Sequence, residues 1–386
     1  MRRITAIITA KDAVINMWIH EDKDWTNFTW SNDVIATKLA NTRHLQGRLL
    51  GRMENLGFEL KNEATLSTLT NDVIKSAAIE GETLAPDEVR SSIARRLGLD
   101  IGGLISSSRD VEGIVAMMLD ATQNYSKPLT KERLLNWHAA LFPTGRSGMH
   151  FITTGAWRTI ESGPMQVVSG HIGLEKVHFE APCADRIDSE MDAFLTWFNQ
   201  QDNTDPVLKA GIAHLWFITI HPFEDGNGRI GRAIADMALA RSDAISDRFY
   251  SLSTQIERER KQYYNHLEWQ QRGSSDITHW LNWFLNCLER AMTNAEKILG
   301  RVLFKAALWN KINNDAPIND RQKLIINRML TDDFEGYMNT SKYAKLAKCS
   351  TDTALRDIQL LQERGIFIQN PSSGRSTSYK LPDEIT

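Results

Sequence analysis

Cysteine is scarce in this chain, and the three present, Cys183, Cys287 and Cys349, follow no metal-ligand spacing. That excludes a disulfide framework and a structural zinc site, and reads as reduced thiols in a cytosol. Long apolar runs are missing too. None approaches the roughly 20 residues of a membrane span, and Met1-Arg2-Arg3 leads into an apolar stretch that Lys11 interrupts, too short for a secretory signal. Nor is one charge in excess: 45 basic against 48 acidic residues give a formal net charge of −3, which argues against nonspecific nucleic-acid binding by the whole molecule. The expectation is a cytoplasmic protein without a membrane partner. With 386 residues, 42% hydrophobic and 24% charged, it has material for two or three domains and a large core.

Against that plain background one stretch is dense in chemistry, His221-Pro222-Phe223-Glu224-Asp225-Gly226-Asn227-Gly228-Arg229-Ile230-Gly231-Arg232. Apolar residues precede it from Ile212 to Ile218 and recur at helical spacing from Ile230 to Leu239, so it reads as a loop between two core helices. Gly226, Asn227 and Gly228 can turn their backbone N–H groups toward one point, and the next helix begins there with its own free N–H groups and positive dipole end. Arg229 and Arg232, three residues apart, can each hold phosphate with a planar fork of donors, which suits a polyphosphate better than a single phosphate. Asp225 is placed to hold Mg2+ together with phosphate oxygens. His221 can take a proton from an attacking hydroxyl. Together these make a phosphoryl- or nucleotidyl-transfer site; Pro222 and Phe223 read as a rigid bend and an anchor into the core.

The pattern His-x-Phe-x-Asp/Glu-Gly-Asn-Gly-Arg-x-x-Arg resembles the signature of the Fic-domain family at every motif position. The resemblance implies an enzyme that moves AMP from ATP to a Ser, Thr or Tyr hydroxyl of a protein, its own chain included, with release of pyrophosphate. His221 would then be the general base and Asp225 the magnesium ligand. Gly226, Asn227 and Gly228 would bind the α- and β-phosphates, Arg229 would also bind phosphate, and Arg232 would reach the γ-phosphate. Family members that act as kinases carry Lys where this chain has Gly228, so AMP transfer is favoured.

Upstream, the helix expected over Leu66 to Ile79 ends in Ser76-Ala77-Ala78-Ile79-Glu80-Gly81. By itself Glu80 reads as a surface residue and Gly81 as a helix-ending glycine. Beside the central motif, Ser76 and Glu80 resemble the Ser/Thr-x-x-x-Glu-Gly/Asn inhibitory motif of Fic proteins, in the class where it lies amino-terminal to the core. A Glu80–Arg232 pair would deny that arginine to the γ-phosphate. The same carboxylate could instead orient water for removal of AMP from a modified target.

The rest reads as support. Clustered aromatics, Trp18 and Trp25 to Trp30, predict packing at one edge, followed by a helix from about Val34 to Leu56. Helical spacing runs through Leu84 to Leu141, with Thr130 a capping residue. One hairpin stands out, Met165-Gln166-Val167-Val168 paired with Glu175 to Phe179 across a Gly-containing loop. Its free edge could recruit an extended target peptide, as the flap of the Fic family does. Further helices are expected over Arg186 to Asn199, Val207 to Ile220, the stretch from Ser253 through Tyr264, and Asp276 to Leu299. Tyr263 and Tyr264 predict one packed ring and one at the surface; with Gln271 they match the adenine pocket of the family, where Asn is usual at the last position.

Asn313-Asn314-Asp315-Ala316-Pro317 is a turn-rich break that separates a small carboxy-terminal module. Three short helices and two strands are expected beyond it, a pattern similar to a winged helix-turn-helix. Seven Lys/Arg against three Asp/Glu between Ser341 and Lys380 would favour DNA backbone, but acids share the third helix, so protein docking or homodimerisation is the first reading and DNA binding the second. The fold expected is therefore mainly α, a helical bundle with a flap hairpin, divided as an amino-terminal helical region 1–110, a catalytic core 111–310 and a winged-helix-like domain 311–386. The functional expectation is a self-inhibited protein adenylyltransferase. AMP removal by the same site, or a DNA-binding regulator that uses nucleotide as a signal, are the alternatives.

Overall fold

The computed structural model describes residues 18–54, 56–99, 103–169, 176–314, 318–330, 334, 336–371 and 377–383. The amino terminus, the Gly-containing flap loop, Asp315 to Pro317 of the expected break and the loop from Ser372 to Ser376 lie outside them. The chain divides into two compact units, Met1–Ala295 and Glu296–Thr386.

The first unit is helical because its apolar residues recur at helical spacing and its helix starts carry capping groups. The helices are α1 (Asn32–Glu54), α2 (Phe58–Ile79), α3 (Pro86–Leu97), α4 (Arg109–Gln123), α5 (Lys131–Leu141), α6 (Ile187–Asn199), α7 (Pro206–Ile220), α8 (Asn227–Asp243), α9 (Leu252–Arg258), α10 (Arg260–Gln271) and α11 (Thr278–Asn314), the last running past the division between units. Apart from Pro206 and Lys209, every residue of α7 is buried. It is the central rod, as a helix apolar on all sides must be, and it packs along α8, which is buried over most of its length. Asp205 caps α7 by accepting the Val207 N–H at 2.8 Å, with Pro206 at the first helical position, where its missing N–H costs nothing.

Several expected boundaries moved. The helical stretch from Leu84 to Leu141 is three helices, broken where Gly98 takes the left-handed conformation and restarted at caps Ser108 and Thr130. α2 begins at Phe58, eight residues before the expected start. The run through Tyr264 is interrupted at Glu259 between α9 and α10, and α11 extends well beyond Leu299. Trp25 is buried against Trp216, and Trp18 meets Phe179 edge-on at 5.4 Å, so the early aromatics close the core as expected.

The strands are few and antiparallel. The flap hairpin pairs β3 (Gln166–Ser169) with β4 (Lys176–Glu180), with an irregularity between Val167 and Val168. A second, shorter hairpin, β1 (Arg146–Ser147) with β2 (His150–Phe151), was not expected, because two-residue strands leave no alternating pattern to read.

In the second unit, Leu308 and Ile312 of α11 join a core of Ile325, Ile326, Met338, Tyr343, Ile358, Leu361 and Phe367. Its own elements are α12 (Asp320–Met329), α13 (Thr340–Ala347), α14 (Thr351–Glu363) and the antiparallel pair Ile368–Gln369 with Tyr379–Lys380. This unit starts before the Asn313–Pro317 break because the end of α11 already belongs to its core. Asp357 is an internal hub, accepting from Arg321, Asn319 and Tyr343.

Candidate active site

α7 ends at Ile220, and His221 takes the left-handed conformation, φ 52°. Glycine is the residue that occupies such a helix end at least cost, so a histidine there is held by its surroundings. Arg158 holds it: its Nε donates to the His221 carbonyl at 2.8 Å and its backbone N–H to the Pro222 carbonyl at 2.9 Å. The His221 Nδ1 lies 3.1 Å from the Ile218 carbonyl. A carbonyl can only accept, so Nδ1 carries the proton and Nε2 is left as the basic atom. Burial pushes this imidazole down to about 4, against the raising effect of the Ile218 carbonyl, and keeps it neutral near pH 7.

The loop is closed by Asn227. Its side chain accepts the Phe223 N–H at 3.0 Å and donates to the Phe223 carbonyl at 2.8 Å, a reciprocal amide pair buried under the turn. Gly226 makes the turn at φ 80°, and a Cβ there would also lie 2.9 Å from the Phe142 ring. α8 then starts at Asn227 with its amino terminus open to a cleft of about 480 Å3, lined by His221, Asp225, Asn227, Gly228, Tyr263, Tyr264, Gln271, Val167, Val168 and Glu80.

The Glu80 carboxylate sits at that terminus. A Cβ on Gly228 would fall 2.0 Å from Glu80 Oε1, so only glycine leaves room. Oε1 is also 2.8 Å from Arg232 Nη2. Arg232 is fully buried; its Nε donates to Ser76 Oγ at 3.0 Å and its Nη2 to the Ser76 carbonyl at 2.8 Å. Its Nη1 has no hydrogen-bond partner among the described residues and points to the Gly228 corner. A buried guanidinium with a spare donor at a helix amino terminus is a site for an anion, and a carboxylate occupies it here.

Asp225 is held by the Gly226 N–H at 2.5 Å and by the Ser147 hydroxyl, with its side chain 43% exposed at the cleft wall. Among the described residues no three His, Cys, Asp or Glu side chains gather to hold a metal by themselves. One partly exposed carboxylate fits Mg2+ as a ligand only together with phosphate oxygens, which is the usual manner of that ion.

Of the residues named from the sequence, the cleft brings together all but a few. Gly226, Arg232 and Ser76 stand behind its wall. Gln166 turns away to donate to Glu180 at 2.7 Å, and Arg229 borders a neighbouring cleft of about 420 Å3 with Glu82 and Ser147. Tyr263 is buried and bonded to His214 Nε2 at 2.8 Å, while Tyr264 is 36% exposed. Gln271 is buried with Nε2 3.4 Å from Thr219 Oγ1.

Four residues escaped the sequence reading. Arg158, Ser147 and Glu82 carry no sequence pattern that marks them. His138 is the fourth: its Nδ1 accepts the Gly155 N–H at 3.0 Å, so Nε2 carries the proton and donates to the Asp225 carbonyl at 3.2 Å. The ring stacks on Phe223 at 4.1 Å, and burial lowers it to about 4. A neutral histidine thus ties the loop to α5. No local signal could have found it, since its partners are 17 and 87 residues away.

Comparison with known proteins agrees with this geometry. Residues 128–239 match the Fic/DOC family, and residues 18–99 match a domain of unknown function, DUF4172. A protein adenylyltransferase Fic of Aedes aegypti is 26% identical over 229 residues, covering 57% of this chain and 40% of that protein. Protein adenylyltransferase fic-1 of Caenorhabditis elegans is 26% identical over 172 residues, 44% of this chain and 31% of that one. The matched part thus spans well under half the length of these relatives. Among solved structures, a Fic family protein from Desulfovibrio desulfuricans G20 has a TM-score of 0.51 at 22% identity, covering 91% of this chain and 96% of that chain. A Fic domain containing signaling protein from Bacteroides thetaiotaomicron VPI-5482 has a TM-score of 0.50 at 20% identity, covering 67% of this chain and 98% of that chain. At these identities the likeness concerns the fold. Residues 128–239, built around the loop from His221 to Arg232, are thus the part of the chain that matches the Fic/DOC family.

Proposed function

We propose that the chain is a self-inhibited protein adenylyltransferase, which transfers AMP from ATP to a hydroxyl of a protein and releases pyrophosphate. One observation carries the reading: a carboxylate is bound at the glycine-lined amino terminus of α8, between Gly228 and a buried arginine with a donor to spare. The carboxylate stands where phosphate oxygens of ATP would lie. With phosphates there, Arg232 takes the outermost group, and the N–H groups of Gly228 and its neighbours take the inner ones. The base fits the pocket between Tyr264 and the α10 wall that includes Gln271.

His221 Nε2, freed by the bond at Nδ1, accepts the proton of the attacking hydroxyl. The hydroxyl oxygen bonds to the α-phosphorus, the bond from that phosphorus to the bridging oxygen breaks, and pyrophosphate leaves with the electron pair. Asp225 would hold Mg2+ against the phosphates, where the ion offsets negative charge on the leaving group. His138 keeps Asp225 in register by holding its carbonyl. Val167 and Val168 border the cleft on the flap, where an extended target segment can lie along β3.

Glu80 restrains the reaction by occupying Arg232. Replacement by glycine, Glu80→Gly, is expected to raise AMP incorporation from labelled ATP, and His221→Ala to lower it by about 100-fold or more with ATP binding kept. Equal incorporation by Glu80→Gly and the parent would remove the self-inhibition; incorporation by His221→Ala at the parental rate would remove the reading as a whole. We read the second unit as a winged-helix-like docking module. Asp357 on α14 is turned inward as a structural hub, so it leaves that surface less acidic than the sequence suggests, yet Asp352 and Glu363 remain. The setting that suits three unpaired cysteines is a reducing one such as the cytoplasm.

A further inference from the structure

The end of α2 carries two carboxylates, not one. The Glu82 N–H donates to the Ala77 carbonyl at 3.1 Å and the Gly81 N–H to the Ala78 carbonyl at 3.0 Å, with Gly81 at φ 87°. This is the paired cap in which a left-handed glycine reverses the chain at a helix end. Its geometry fixes the residues on either side of the glycine. Glu80 is directed to Arg232, and Glu82 to Arg229, whose Nη1 donates to Glu82 Oε1 at 2.8 Å and Oε2 at 2.7 Å. Arg229 is nearly as buried as Arg232, with a side chain 4% exposed, an Nε without a partner among the described residues, and Nη2 3.9 Å from Asp225. Both arginines of the motif are thus neutralised from one helix terminus.

We propose that Glu82 is a second restraint on the nucleotide site: it occupies Arg229 as Glu80 occupies Arg232, and the Gly81 cap joins the two into a single two-pronged plug. This rests on the reading of the α8 amino terminus as the phosphate site. Arg229 borders the neighbouring cleft, and its Nη2, 3.9 Å from Asp225, is the end that reaches the wall of the phosphate cleft, so a phosphate that engages Arg229 there has to displace or share the guanidinium that Glu82 holds. The Glu82 side chain is 46% exposed, so water screens the pair and the restraint is the weaker prong. Removal of Glu80 alone therefore leaves the site half-closed. A fraying of the cap, in contrast, withdraws both carboxylates together, and it needs no break in the rest of α2.

The test uses the full chain and measures two things, equilibrium binding of ATP with magnesium by calorimetry in a His221→Ala background, and AMP incorporation with His221 intact. Glu82→Gln is expected to tighten ATP binding by about threefold to tenfold, the range for loss of a partly exposed competitor for a charged hydrogen bond. Glu80→Gly with Glu82→Gln is expected to bind more tightly than Glu80→Gly alone. In an Arg229→Ala background Glu82→Gln is expected to change nothing, which a general structural role for Glu82 would not produce. Gly81→Ala, strained at its positive φ with both carboxylates retained, is expected to tighten binding as well. Weaker ATP binding by Glu82→Gln would mean that Glu82 orients Arg229 for phosphate, and unchanged binding that it does neither; both overturn the proposal. If binding tightens as expected while no variant incorporates AMP, the plug stands and the transferase reading falls.

Discussion

His221 is the residue at which local cost and chemistry meet. A side chain in the left-handed region costs about 1–2 kcal/mol relative to glycine, and the bonds from Arg158 to its carbonyl and to that of Pro222 hold it there. What is gained is a ring whose Nδ1 is spent on Ile218 and whose Nε2 faces the cleft. Because burial holds the imidazole at about 4 rather than 6.5, it stays in its basic form well into acid. For transfer by the free enzyme, the acid limb of kcat/KM is therefore expected near pH 4, with no break around 6.5. A limb at 6.5 would show that some other group, or an exposed histidine, accepts the proton. Removal of the ring in His221→Ala is expected to cost about 100-fold to 10,000-fold in rate, the usual share of a general base. Gly226 bears the opposite constraint: it has to lack a Cβ. Gly226→Ala places one at φ 80° and 2.9 Å from the Phe142 ring, and is expected to lower stability by roughly 1–3 kcal/mol in a denaturant titration. Unchanged stability would mean that the loop refolds without the turn.

Elements were legible from the sequence where their pattern is local. The two core helices around the motif, the cap at Thr130, the Tyr263 and Tyr264 division between core and surface, and the helix that ends at Ile79 all follow from spacing within one turn or two. What escaped reading depends on pairs far apart in the chain. Ser147 bonds Asp225, and Glu82 bonds Arg229 across 147 positions. The two-residue strands at Arg146 and His150 lack a period altogether. α2 illustrates the same division: its end was readable from Ser76 to Gly81, but its attachment was not. Asp72, buried on α2, accepts the Ser253 N–H at 3.2 Å and the Ser251 hydroxyl, so that α2 supports the start of α9. Asp72→Ala leaves that buried N–H without its partner and is expected to destabilise the fold by about 1–3 kcal/mol. Because the same change loosens the helix that carries Glu80, AMP incorporation measured at a temperature where the variant remains folded should rise. A stable variant with parental activity would show that α2 is anchored elsewhere.

At the scale of the whole molecule, acid is the condition that separates burial from function. His138 and His214 are 0% and 1% exposed, and burial holds each at about 4. An unfolded chain carries both near 6.5, so between pH 6.5 and about 4 the unfolded state takes up protons that the folded state refuses. Stability therefore falls as pH falls through that window, by up to roughly 3 kcal/mol for each fully buried ring. Asp236 and Asp243, raised by burial, act with the opposite sign: the folded state protonates them first, and acidification through their folded values is favourable. The net slope mixes the two, but a substitution isolates one. In His138 both nitrogens are committed, Nδ1 as acceptor from Gly155 and Nε2 as donor to Asp225, so a second proton would set two donors against each other. His138→Gln removes the titration, and its unfolding free energy, lower than the parent's near pH 7, should depend less steeply on pH down to about pH 4.5. Parallel slopes for the two proteins would mean that His138 binds its proton equally well in both states, and hence that the neutral bridge between α5 and the loop from His221 to Arg232 does not exist in solution.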